Sequence, residues 1–127
     1  MPILNVKVSA QRTPELSARI AETLLDLTTL VLGKRRDLTA VVITFVDPAD
    51  WYVAGRSLAD LKQSSFYFDV KVVDETNTKA EKARYIAEAF AAFEGLLGAL
   101  HPESYVYVQD VRAAAYGFGG RTQEYRH

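Results

Sequence analysis

Pro2, Arg12 and Tyr116 are the residues whose types and positions best suit catalysis in this chain of 127 residues. Pro2 directly follows Met1. A small second residue such as proline permits removal of the initiator methionine, which would leave a secondary amine at the N-terminus. The reference pKa of an α-amino group is about 7.7 to 8.0, well below that of lysine, and burial in an apolar site lowers it further. Such an amine is a general base near neutral pH, where basicity and deprotonated fraction balance. Arg12, ten positions on, offers a guanidinium that binds a carboxylate through two parallel hydrogen bonds and keeps its charge at working pH. Tyr116 can close an apolar pocket and present a hydroxyl to an enolic or carbonyl oxygen.

Other chemistries find little support. With no cysteine in the chain, disulfides, thiolate nucleophiles and thiol redox chemistry are excluded. The two histidines, His101 and His127, are far apart in sequence, so no histidine metal cluster or triad is expected. Fifteen Lys and Arg against 16 Asp and Glu leave a net charge of -1, without the basic excess of a general nucleic-acid binder. No stretch reaches the roughly 18 apolar residues of a spanning helix. The first residues also lack a signal-peptide pattern. A cytoplasmic protein without nucleic-acid or membrane partners is expected. The Gly117-Phe118-Gly119-Gly120 run fits neither dinucleotide nor P-loop spacing and follows a strand instead of preceding a helix.

The elements that must position these groups are organised as two halves. Asn5-Val6-Lys7-Val8 recurs as Asp69-Val70-Lys71-Val72, and Ala18-Arg19-Ile20-Ala21-Glu22 recurs as Ala83-Arg84-Tyr85-Ile86-Ala87-Glu88 with one inserted residue. Trp51 to Arg56 aligns with Tyr116 to Arg121, which puts Trp51 at the place of Tyr116. The preserved order argues for duplication and fusion, with repeats at 1–62 and 63–127 of a single domain. Each half reads as strand, helix, strand and a Gly-containing tail.

In the first half, Pro2 to Val8 is a strand, and Thr13-Pro14 is an N-cap followed by proline at the first helical position. Leu16, Ile20, Leu24, Leu27 and Val31 then form one apolar stripe, which Gly33 ends. Lys34, Arg35 and Arg36 follow, where cations favour the helix's negative end. Thr39 to Val46 is a β-branched strand. In the second half, Phe66 to Val73 is a strand, and Thr78-Lys79-Ala80-Glu81 is a capping box. Ala83, Ile86, Phe90, Phe93 and Leu97 are expected to supply the apolar helix face, and Ser104 to Val111 the last long strand. A right-handed parallel crossover in each half gives an α+β fold: two tandem β-α-β units forming a four-stranded sheet with two helices on one face. A ferredoxin-like domain has the same linear order of elements.

Starting at Pro2, the pattern of first strand, Arg12, Thr13-Pro14 helix start and Gly-rich tail resembles the tautomerase superfamily typified by 4-oxalocrotonate tautomerase. The duplication resembles its fused members. The resemblance covers essentially the whole chain. It implies that Pro2 shuttles a proton, that Arg12 binds a substrate carboxylate, and that an aromatic lines the pocket: Tyr116 or its first-half counterpart Trp51, from the same chain or a neighbouring subunit. It also implies a homotrimer in which three sheets face a central barrel. A second substrate-binding arginine of the family has no match, since Ala40 and Tyr105 occupy the corresponding positions; Arg35, Arg36, Arg112 or Arg121 are the candidates to substitute. In the second half Phe66 stands in place of Pro2 and Thr76 in place of Arg12, so one proline site per chain is expected.

The expected activity is tautomerisation of a small unsaturated carboxylic acid, a reaction that needs neither cofactor nor metal. A noncatalytic oligomeric ligand-binding module and a proline-dependent hydratase or dehalogenase are the alternatives.

Overall fold

The computed structural model describes residues 2–125. Met1, on whose removal the amine of Pro2 depends, and His127 lie outside the described residues. The first half contains β1 (Ile3–Val8), α1 (Pro14–Leu30) and β2 (Ala40–Phe45), then a hairpin of β3 (Tyr52–Val53) and β4 (Arg56–Ser57) and the short α2 (Leu58–Leu61). The second contains β5 (Phe66–Val73), α3 (Lys79–Leu97) and β6 (Tyr105–Val111), then a hairpin of β7 (Gly117–Phe118) and β8 (Arg121–Thr122).

The four long strands form one sheet in the order β2-β1-β5-β6. β1 pairs with β2 in parallel and β5 with β6 in parallel, while β1 and β5 meet antiparallel at the centre. The two strands of each half are therefore neighbours, and no strand of the other half splits them, as it would in the ferredoxin-like arrangement. Asn5 pairs with Asp69, and these are the same position in the two repeats. The axis relating the halves passes between them.

Alternation along the strands separates two faces. Leu4, Val6 and Val8 of β1 and Phe66, Phe68, Val70 and Val72 of β5 are buried together with Ile20 and Leu24 of α1 and Tyr85, Ala89 and Phe93 of α3. Both helices thus cover one face of the sheet. The other face leaves Ile3, Val42, Tyr105 and Tyr107 about half exposed.

Local chemistry sets the helix ends. The Thr13 side chain accepts from the Leu16 amide at 3.1 Å, with Pro14 at the first position, and the Thr78–Glu81 capping box is complete in both directions, at 2.7 and 3.0 Å. The chain leaves α1 through Gly33 at φ 68°, a left-handed conformation that glycine adopts without steric cost. Asn77 Nδ2 donates to the Leu32 carbonyl at 2.8 Å, tying the start of α3 to this exit.

The face of α3 differs from the sequence expectation. Ala83 and Ile86 are exposed, and the buried stripe runs through Tyr85, Ala89 and Phe93 at spacings of four. The tyrosine displaces the isoleucine because its hydroxyl has a partner inside: Tyr85 Oη lies 2.8 Å from Thr28 Oγ1, and Thr28 donates its own proton to the Leu24 carbonyl at 2.7 Å. A buried phenol is tolerated when its hydrogen bond is made.

Candidate active site

Pro2 is buried at the start of β1, on the core side of the sheet. Its carbonyl accepts from the Ala40 amide at 3.0 Å, which extends the ladder to β2 and fixes the residue. Leu4 opposite Val70 is the last β1–β5 pair toward this end, so Pro2 emerges beside the end of β5. There it lines a cavity of about 190 Å³ with Gly33, Lys34 and Arg35 from the exit of α1, Lys71, Val72, Val73 and Thr76 from the second half, and Tyr116 and Gln123 from the tail. A second cavity, of about 220 Å³, shares Lys71 and Tyr116 with the first and adds Ile3, Val111, Ala115 and Gly117.

Three cations surround the first cavity, and their pairing differs. Arg35 holds Asp37 through Nε at 3.2 Å and Nη2 at 2.8 Å. Lys71 holds Asp69 at 3.0 Å. Lys34 donates to the neutral Thr76 Oγ1 at 3.1 Å and has no carboxylate in ion-pair contact among the described residues. Desolvation lowers the Lys34 pKa, and the charges of Glu81 and Asp110 act against that shift. Burial also pushes the Tyr116 phenol up. The cavity therefore combines an apolar floor, a half-buried cation and a neutral phenol next to Pro2. Such a set suits an anionic ligand. Among the described residues, no cluster of three or more His, Asp or Glu side chains is placed to hold a metal ion.

In sequence, residues 2–61 match the family described as Tautomerase enzyme. The whole chain superposes on native fused 4-OT with a TM-score of 0.83 at 22% identity, covering 97% of each chain. The first half is thus similar in sequence to the tautomerase family, and the chain shares the fold of fused 4-OT. A wild-type fused 4-OT solved as a symmetric trimer gives a TM-score of 0.82 at 20% identity over 96% of both chains. A macrophage migration inhibitory factor-like protein from Entamoeba histolytica gives 0.77 at 17% identity, over 95% of this chain and 97% of that one. No curated protein matches the chain in sequence.

Within this fold the chain brings Pro2 and Tyr116 into one cavity, whereas Arg12 and Trp51 line neither cavity. The reason is topological. β1 carries the chain from Pro2 to Val8, six strand residues or about 20 Å at ~3.3 Å per residue, so Arg12 leaves at the opposite end of the sheet. Trp51 directly precedes β3, as Tyr116 directly precedes β7 in the second half. The Arg12 position of the second repeat is Thr76, and Thr76 does line the Pro2 cavity.

Of the arginines considered as substitutes, Arg35 reaches the cavity. Arg36 turns back onto α1, pairing with Asp26 at 2.7 Å and Glu22 at 2.5 Å, and Arg112 and Arg121 line neither cavity. Lys34, Lys71, Thr76 and Gln123 were not singled out as cavity groups by sequence reasoning. The repeat contained the signal for two of them: at Lys34 and Gln123 the first-half and second-half counterparts differ in polarity, Ala99 facing Lys34 and Leu58 facing Gln123.

At the place of Pro2 in the second half, Phe66 is fully buried and stacks on Phe93 with ring centroids 4.0 Å apart, and Leu58, at the place of Gln123, is fully buried as well.

Proposed function

We propose that this protein is a cytoplasmic tautomerase acting on a small unsaturated carboxylic acid, with Pro2 as general base once Met1 is removed. The observation that carries this reading is the gathering of Pro2, Tyr116 and the cations Lys34, Arg35 and Lys71 around one cavity. The amine of Pro2 takes a proton from the enol, or from an acidic C–H beside the carbonyl, and returns it at another carbon. No atom is lost or gained. Lys34 attracts the carboxylate, and the low-dielectric floor of Val72 and Val73 strengthens that attraction. The Tyr116 phenol stays protonated and offers its hydroxyl to the developing enolate oxygen.

Arg12 joins this site from a neighbouring subunit in a homotrimer. Two observations support the assembly: the uncovered sheet face with Ile3, Val42, Tyr105 and Tyr107, and the trimeric fused 4-OT whose fold the chain shares. Covering that face also protects the β2 and β6 edges.

The test begins with the intact mass of the purified chain, which is expected to lack Met1. Turnover of phenylenolpyruvate and 2-hydroxymuconate is then compared with Pro2→Ala, which should lose at least about 10²-fold in kcat. A structural relative was solved after inactivation by 2-oxo-3-pentynoate, so that compound is also expected to label Pro2 and to spare Pro2→Ala. Retention of Met1, or full activity of Pro2→Ala, would refute the proline mechanism; ligand binding unaffected by that substitution would favour a noncatalytic module. Water addition or halide release would identify a hydratase or dehalogenase.

A further inference from the structure

The two repeats place the same backbone around two different ends of the sheet, so each end is a control for the other. At both ends the tail hairpin closes with the same hydrogen bond: the Leu58 amide donates to the Trp51 carbonyl at 2.8 Å, and the Gln123 amide to the Tyr116 carbonyl at 2.6 Å. Leu58 and Gln123 are equivalent positions, and both are buried, at 0% and 1% exposure. The fold accepts an apolar residue here, as Leu58 shows. Burying a carboxamide costs desolvation that leucine does not, yet the second repeat buries one. It does so at the end where Pro2 replaces Phe66, in the wall of the same cavity.

We infer that Gln123 is a positioning residue for the Pro2 amine, its side-chain oxygen accepting a hydrogen bond from the proline nitrogen. The inference rests on the reading of Pro2 as a free amine. A neutral secondary amine carries one N–H and one lone pair; the protonated form carries two N–H groups. An acceptor that holds the resident N–H leaves the lone pair pointing into the cavity, where the substrate proton arrives. The same acceptor stabilises the ammonium form. The other charged groups lining the cavity are cations: Arg35 and Lys71 are paired with Asp37 and Asp69, and Lys34, on which Glu81 and Asp110 act from further off, has no ion-pair partner among the described residues. Like charges drive the amine toward its neutral form, and Gln123 opposes them without introducing a negative charge that would repel a carboxylate. Phe66, in mid-chain, has no amine to hold. Leucine therefore suffices at position 58.

The experiment uses the full chain, with loss of Met1 checked by mass, and compares wild type with Gln123→Leu, Gln123→Asn and Gln123→Glu. The Pro2 amine is titrated directly by its ¹⁵N shift in proline-labelled protein, which requires no turnover. Phenylenolpyruvate turnover is followed in parallel against pH. In Gln123→Leu the amine pKa and the acidic limb of kcat/KM should both move about one pH unit lower, with about a tenfold fall in kcat as the lone pair loses its orientation. Gln123→Glu should move both the opposite way, and Gln123→Asn should restore part of kcat. A merely structural glutamine would move neither titration. The inference is overturned if Gln123→Leu titrates as wild type, if the Leu and Glu variants move in the same direction, or if Met1 is retained. If Gln123→Leu does not fold, the Glu variant alone decides by its sign. A wild type that shows the predicted titrations without tautomerising phenylenolpyruvate would uphold Gln123 and count against the proposed substrate class.

Discussion

Replacing Lys34 by methionine should weaken substrate binding more than the equivalent change at either other cavity cation. Arg35 already spends its fork on Asp37, both side chains being about two-thirds exposed, so a substrate carboxylate gains there only by exchanging one anion for another. Lys71 is held by Asp69 at 3.0 Å. Among the described residues Lys34 meets only the Thr76 hydroxyl, at 3.1 Å, and a carboxylate would be its first counter-charge at close range. A hydrogen bond to a charged group is worth about 1.5 to 3 kcal/mol. Because Lys34 is only half-buried, solvent screening favours the lower end, about 1.5 kcal/mol or a factor of roughly ten. Lys34→Met should thus raise KM for phenylenolpyruvate about tenfold with kcat little changed, against about twofold for Arg35→Met.

The pH dependence provides an independent check on Lys34. Desolvation holds its pKa below the ordinary lysine value of 10.5, so its charge is lost earlier than usual as pH rises. KM should rise with that loss. Lys34→Arg keeps a charge that does not titrate in this range and should abolish the alkaline rise. Steady-state kinetics between neutral pH and the alkaline limit of stability read both effects. A larger KM change in Arg35→Met than in Lys34→Met, or an alkaline rise that survives Lys34→Arg, would refute the reasoning.

Other substitutions test the scaffold. Tyr85→Phe should cost about 1 kcal/mol at neutral pH in urea unfolding, the net value of a typical hydrogen bond, and Thr28→Val about 1 to 3 kcal/mol because it orphans a buried phenol. Burial pushes the Tyr85 phenol up to about 12, above its unfolded value of about 10. Its stabilising share is therefore complete below about pH 10 and lost as pH rises through about 12; wild type should weaken across that window more than Tyr85→Phe does. Phe66→Ala removes a fully buried ring and should cost about 3 to 5 kcal/mol, measured by the same unfolding curves. A Cβ at Gly117 would come 3.1 Å from the Arg121 carbonyl oxygen; that neighbour is backbone, so Gly117→Ala should displace Tyr116 and lower kcat/KM more than it lowers Tm.

Periodicity and end signals made the long elements legible. Thr13-Pro14, Gly33 and the Thr78–Glu81 box mark helix ends through hydrogen bonds made within a few residues, so their meaning survives without knowledge of the fold. β5 lies at Phe66–Val73, as its apolar pattern indicates. The face of α3 was less legible because a tyrosine reads as amphipathic, and its burial depends on Thr28, a partner on the other helix. Pro2 and Tyr116 could be placed together through the repeat and the family pattern. Which end of the sheet receives Arg12, by contrast, depends on strand direction, which the local sequence does not encode. The cations show the same limit: Lys34, Arg35 and Arg36 are consecutive, yet two reach the cavity and one folds back to Glu22 and Asp26.

The Pro2 cavity takes Pro2 and the α1 exit from one repeat and much of its wall from the other. Lys71, Thr76, Tyr116 and Gln123 belong to the half with no proline of its own at the strand start. Division of labour follows from that geometry. A cavity assembled this way is completed by neither repeat alone, so a change in either one reaches the same site and neither can be discarded as a spare copy.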